Sequence, residues 1–261
     1  MDIEQLFSSE TRLLSLNRVV QQLLSEFACA DPDLLRIARI LCQDQALSAK
    51  VLRLANSAHF AGARQMDSVK DAAILLGLDN LKMLVICSAV QQRYSHVPHM
   101  DLPRFWRQNL SCAHMAEALA RESGQDPARA RIGGLLHSIG QLFIHQQLPK
   151  QAQQIVARTA QGQVRAQVER ELLGFDYGEV GAELARRWQF PEELVILTQH
   201  HIRPLLAPEP YRGLATVVGL ARWRIDHDPQ APLLEWPNEE LASLGLQPQH
   251  LQSLRTEPQT A

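Results

Sequence analysis

Residues 133–140 read GGLLHSIG and bring an imidazole, a hydroxyl and three glycines into one short stretch. His137 is of a type that can ligate a metal, move a proton or sit hydrogen-bonded in a core. Ser138 follows it directly. Neighbouring residues of a helix do not face each other, so adjacency alone does not make a nucleophile–base dyad. His200-His201 is the second cluster, at the end of EELVILTQHH. Together His137, His200 and His201 could build a weak metal or anion pocket. The alternative is that one imidazole of the pair bonds helix-terminal carbonyls, the other is solvated, and His137 is a satisfied core histidine. Cys112 and His114 lie two apart and diverge on a helix. The chain has no G-x-S-x-G elbow, phosphate-cradling glycine loop or dinucleotide fingerprint.

The elements that carry these residues read as helices throughout. In ETRLLSLNRVVQQLLSEF, Leu13, Leu16, Val20, Leu23, Leu24 and Phe27 recur at the three-and-four spacing of one helix face. Asp31-Pro32 offers an N-cap and a first-turn proline to a helix with Leu34, Leu35, Ala38 and Leu41 on its face. Leu47, Val51, Leu54 and Ala55 form the next stripe. Ser68 with Asp71 approximates a capping box, and DAAILL is expected to stop at Gly77, with Asp79 capping the helix LKMLVICSAVQQR. Asp176 with Glu179 is a further capping box, and Pro191-Glu192-Glu193 opens EELVILTQHH. This predicts an all-α fold of roughly ten to thirteen helices.

Of the 261 residues, 46% are apolar, enough for a sizeable core. A net charge of −2 with interspersed signs is not the basic footprint of a nucleic-acid binder. The four cysteines form no Cys-x-x-Cys pair and read as buried, reduced thiols. MDIEQLF lacks the features of a secretory signal, and the apolar runs AAILLGL and MLVICSAV are too short to span a bilayer, so a cytoplasmic location is expected. Proline-rich stretches at 96–103 and 226–240 suggest three segments: 1–100, 101–225 and a connector with a short helical tail, 226–261.

Six stretches in order resemble one family: QDQALSAKVLRLANSAHF, SVKDAAILLGLDNLKMLV, FWRQNLSCAHMAEALA, IGGLLHSIGQLFI, ELLGFDYGEVGAELARRWQFPEELV and QHHIRP. They are similar to the HDOD family, helical domains related to the His-Asp metal-dependent phosphohydrolases. The resemblance covers about residues 12–225. It implies two packed helical bundles, the second derived from the hydrolase core, and a role in bacterial signalling. Receiver or cyclic-dinucleotide modules often accompany such domains, and neither is legible here. In the related hydrolases, His and Asp from separate helices hold one or two divalent ions that activate water. By the resemblance, the first histidine falls on Gln108, the His-Asp pair on His137-Ser138, and the last aspartate near Arg222. The histidine that commonly follows LGFD is Tyr177. One ligand of four survives, and a guanidinium would oppose a cation.

No metal or cofactor is therefore expected at the remnant positions Gln108, His137, Ser138 and Arg222, which should instead form a hydrogen-bonded polar core. Gln108 is expected to bridge the gap, with Ser138 accepting a bond. Trp106 and Trp188 read as core anchors. In LRLANSAHF, Asn56 reads as a structural amide; alternatively Arg53, Asn56 and Arg64 mark a partner surface. The leading reading is a non-catalytic regulatory protein acting through protein contacts, with a homodimer allowed. A metal-dependent phosphohydrolase and a nucleotide-binding sensor without hydrolysis are the alternatives.

Overall fold

The computed structural model describes residues 2–8, 17–29, 31–57, 65–227, 236–247 and 251. Every regular element among them is helical, with fourteen α-helices and one 3-10 turn, slightly more than the sequence suggests. The helices are α1 (Ile3–Ser8), α2 (Arg18–Phe27), α3 (Leu34–Leu41), α4 (Gln45–Ala55) and α5 (Val69–Arg93). Then come α6 (Leu102–Glu122), α7 (Pro127–Leu136), α8 (Ile139–Gln147), α9 (Pro149–Ala160) and α10 (Arg165–Leu173). The last are α11 (Tyr177–Arg187), α12 (Glu192–His200), α13 (Arg212–Asp226) and α14 (Asn238–Ser243). Helices α2–α5 form one compact unit; α1 and α6–α14 form the other.

In the first unit, α2, α3 and α4 pack on α5. The stripe of α2 is buried through Val20, Leu23, Leu24 and Phe27, and that of α4 through Leu47, Val51 and Ala55. On α3 the buried face is Ile37, Ala38 and Leu41, whereas Leu35 is 45% exposed. Its cap is Asp33, not Asp31: Asp33 Oδ1 accepts from the Leu35 and Arg36 amides at 2.8 and 3.3 Å. Ser68 caps α5 as expected, accepting from Asp71 N at 3.2 Å. Gly77, at φ 73° and ψ 171°, breaks α5 where a C-terminal glycine was expected. Asn80 Nδ2 donates to the Leu76 carbonyl at 2.8 Å and satisfies one acceptor freed by the break. By length and composition alone, Val69–Arg93 could cross a membrane. Gly77 divides it, however, and Ala72, Ala73, Leu76, Leu81, Val85, Ile86 and Val90 are buried within the bundle.

In the second unit, α6 packs on α7 and α13, α7 on α13, and α11 on α8 and α12. Glycines set how closely these helices approach. A β-carbon on Gly134 would lie 2.8 Å from Ala113 Cα and 2.9 Å from the Cys112 carbonyl oxygen. One on Gly140 would fall on the Tyr177 carbonyl and 2.6 Å from Gly181 N. The glycines of GGLLHSIG thus press α7 onto α6 and α8 onto α11 at backbone distance. That contact brings side chains from α6, α7, α11, α12 and α13 around the α7–α8 junction.

The cysteines depart from expectation. Cys112 is buried, Cys87 is intermediate, and Cys29 and Cys42 are exposed. Both exposed thiols sit just past helix ends, Cys29 after α2 and Cys42 as the C-cap of α3, where the apolar stripe has run out. Trp188 is buried at the end of α11, as an anchor should be, while Trp106 is only half-buried beside Phe105.

Gly140→Ala is expected to destabilise the fold by about 3 kcal/mol, because backbone faces the added methyl on two sides. Gly213→Ala, whose methyl would meet only the flexible Gln125 side chain at 2.7 Å, should cost much less. Urea denaturation of both variants checks the contrast.

Candidate functional site

The α7–α8 junction places His137 as the C-cap of α7 and Ser138 as the N-cap of α8. Both are buried. His137 Nδ1 donates to the Gly134 carbonyl at 2.7 Å, which leaves Nε2 as the unprotonated nitrogen. Burial lowers the His137 pKa from 6.5 to about 4, so the ring is neutral. Ser138 does not accept a bond from Gln108. Its hydroxyl donates to Asn109 Oδ1 at 2.7 Å. The side chain that faces inward from α6 is Asn109, 2% exposed, while Gln108 is exposed and reaches the site only at its rim.

His201 supplies the second buried imidazole. Its ring lies 4.9 Å from that of His137 in an edge-to-face arrangement. Nδ1 donates to the Thr198 carbonyl at 2.7 Å, the helix-terminal bond foreseen for one member of the pair. Nε2 is 3.2 Å from the Tyr177 hydroxyl and accepts from it. His200 is half-exposed and takes no part in this cluster. Of the three imidazoles considered together, the structure joins two.

Tyr177 is the hinge of the arrangement. Burial raises its phenol well above the ordinary value, so it is a neutral donor to His201, and its oxygen also meets the Arg222 guanidinium. Its own amide donates to the wholly buried Glu169 at 2.7 Å. Glu169 also takes Arg165 at 3.1 Å, and burial pushes its carboxyl up to about 7. Asp176 next door closes the expected capping box with Glu179 and is held by Arg170. This anchors the start of α11 and with it the phenol.

Arg222 comes from α13. Its Nη1 pairs with Asp226 one turn on, at 2.9 Å. A cavity of about 60 Å³ is lined by Asn109, Cys112, His137, Ser138, Gln141 and Arg222, with Asp226 and Gln108 also contributing. Asp226 is a carboxylate that no motif in the sequence marks. Its one signal is its place as the i+4 partner of Arg222. Asn109 had the weaker signal of being the other amide in FWRQNL.

The related hydrolases imply a divalent ion here, and the donor set does not fit one. His201 has both nitrogens committed, Ser138 donates rather than ligates, and a guanidinium lines the cavity where a cation would sit. No group of three or more His, Cys, Asp or Glu side chains suited to a metal occurs among the described residues.

The proposed partner residues lie in the first unit. Asn56 is used structurally: its amide donates to the Leu52 and Met66 carbonyls and accepts from Met66 N, each at 2.8 Å. Arg53 is exposed. Arg64 lies outside the described residues.

The HDOD domain profile matches residues 13–204. A Shewanella amazonensis structure named as a candidate phosphohydrolase is 33% identical with a TM-score of 0.77, covering 94% of this chain and 88% of that one. An HDOD domain protein of unknown function from Geobacter sulfurreducens is 28% identical, TM-score 0.73, covering 85% and 75%. A Marinobacter aquaeolei structure named as a candidate signal-transduction protein is 22% identical, TM-score 0.73, covering 91% and 55%, and shares the fold. The chain spans about half or less of the curated relatives it matches: 49% of one from Treponema pallidum and 40% of one from Bacillus subtilis.

The His137 proton has a definite sign. Between pH about 4 and 6.5 the unfolded chain binds a proton at this residue that the native state does not, so its contribution to stability rises with pH in that window and is lost as pH falls. Ring-proton NMR should show His137 neutral below 6.5 and titrating near about 4. Ser138→Ala should cost about 1–3 kcal/mol in chemical denaturation, since it strips a buried amide oxygen of its donor.

Proposed function

The chain belongs to the HDOD family, and we propose that within it this protein is a non-catalytic signalling component that works through protein contacts from the cytoplasm. The observation that carries the reading is the fate of the ancestral ligand positions. Ser138 is bound to Asn109, and Arg222 places a fixed positive charge on the cavity wall. Water activation needs a Lewis acid or a base with access to water, and of the His137–His201 pair the uncommitted nitrogen, on His137, lies in a residue that is 5% exposed.

Support for a contact role comes from the first unit. Leu35, Ala38 and Cys42 line a groove flanked by the exposed Arg39 and Lys70. Ile74, one turn beyond Lys70, is 53% exposed. An apolar surface with a basic rim suits a partner segment that is apolar with acidic residues at its edge. The name of the Marinobacter structure agrees with such a role, and the name of the Shewanella structure points to the hydrolase alternative.

Purified protein supplied with manganese is expected to release no more product from generic phosphodiesters and cyclic dinucleotides than its His137→Ala variant does. Ser138→Asp, which restores the missing carboxylate, should not confer turnover while Arg222 remains. Metal-dependent cleavage that disappears in His137→Ala defeats the proposal. Proteins recovered with the native chain from its own cell should be recovered about tenfold less with Arg39→Glu/Lys70→Glu, a loss equivalent to about 1.4 kcal/mol.

A further inference from the structure

Two buried donors in the cavity beside His137 have no acceptor among the described residues: Asn109 Nδ2 and Arg222 Nε. Asn109 is 2% exposed, and Ser138 donates to its Oδ1, which fixes the NH₂ as the end without a partner. Buried donors in native proteins are almost always paired with protein, water or a bound group. Both belong to residues that line one cavity of about 60 Å³, room for a single tetrahedral ion or a few waters. The amides of Gln108 and Gln141 lie along the same wall.

Charge favours an ion over water. Arg222 is a permanent cation and supplies the positive charge alone, since His137 and His201 are held neutral by burial. Asp226 engages Nη1 of Arg222 and leaves Nε uncommitted. Its carboxylate is exposed at the mouth, where it tempers the site. The cavity has changed sign relative to a cation site: a guanidinium and a carboxamide donate where lone pairs would be required.

We propose that this cavity binds one small tetrahedral oxyanion of the phosphate type, with Asn109 Nδ2 and Arg222 Nε as its principal donors. The Gln108 and Gln141 amides complete the shell. Bound there, the ion ties α6 to α13, so its occupancy stiffens the second unit. This goes beyond contact signalling by giving the protein an input of its own.

Titration calorimetry with inorganic phosphate tests it, with adenosine monophosphate in a parallel arm. Saturable heat with phosphate alone assigns a free ion; heat with both assigns the phosphoryl end of an ester entering through the mouth. Asn109→Asp keeps the acceptor for Ser138 but sets a carboxylate against the ion, and should weaken phosphate binding at least tenfold. Asp226→Asn, an exposed and easily tolerated change, should tighten it severalfold. Opposite shifts in these two variants are not produced by misfolding or by nonspecific surface binding. Absence of saturable heat in both the native chain and Asp226→Asn, or affinities that ignore both substitutions, overturns the site. So does a crystal grown in phosphate that shows only waters on Asn109 Nδ2. Binding is read as heat without turnover, so such a failure leaves the non-catalytic reading intact; phosphate released from an ester would count against that reading alone.

Discussion

Polar side chains cut off from water must satisfy one another, and the second unit is arranged around that requirement at a single junction. Where α7 ends and α8 begins, the backbone is pressed against α6 and α11 by glycines that leave no room for a β-carbon. An imidazole, a hydroxyl, a carboxamide, a second imidazole and a phenol, all buried, converge there. Each takes part in a hydrogen bond, and those bonds fix the tautomers of the two imidazoles. His137 gives its proton to Gly134, Ser138 to Asn109, Tyr177 to His201 and His201 to Thr198. From the phenol through His201 the donors run in one direction and end on a backbone carbonyl, which accepts without further demands.

That order explains how the junction holds together with a serine at the position where, by the resemblance, related hydrolases would place an aspartate. In a metal enzyme the ion holds side chains from several helices at one point. Here hydrogen bonds between α6 and the start of α8 and between α11 and the end of α12 perform the holding. The Tyr177 phenol is supported in turn by Glu169 beneath its amide and by the Asp176–Arg170 pair at the start of α11. The Tyr177 phenol is a neutral donor, which lets His201 keep its Nδ1 proton for the helix end.

Arg222 is the one strong charge introduced into this setting. Asp226 offsets part of it, and Arg222 Nε, like Asn109 Nδ2, is left without an acceptor among the described residues. Asn109 and Arg222 set a carboxamide and a guanidinium on the cavity wall, a lining less suited to a cation than one of carboxylates and imidazoles. As proposed, the cavity would take a small anion and the exposed apolar groove of the first unit a polypeptide.

Much of this was legible in the letters. Periodicity identified the helices, Ser68 and the Asp176–Glu179 pair marked their starts, and Gly77 marked a break, because these depend on residues within one or two turns of each other. That a hydroxyl at Ser138 and a guanidinium at Arg222 are poor partners for a divalent cation was equally legible, since it follows from residue type in any fold. What the tertiary structure alone decided was which groups meet. Gln108 and Asn109 are adjacent, and one residue of helical rotation determines that the second enters the core and the first stays at the rim. Likewise His201 rather than His200 reaches His137, and Asp33 rather than Asp31 caps α3. The glycines of GGLLHSIG had no assigned role until helices distant in sequence were seen to touch them. Contacts of that kind are set by the approach of whole helices, which no local spacing encodes.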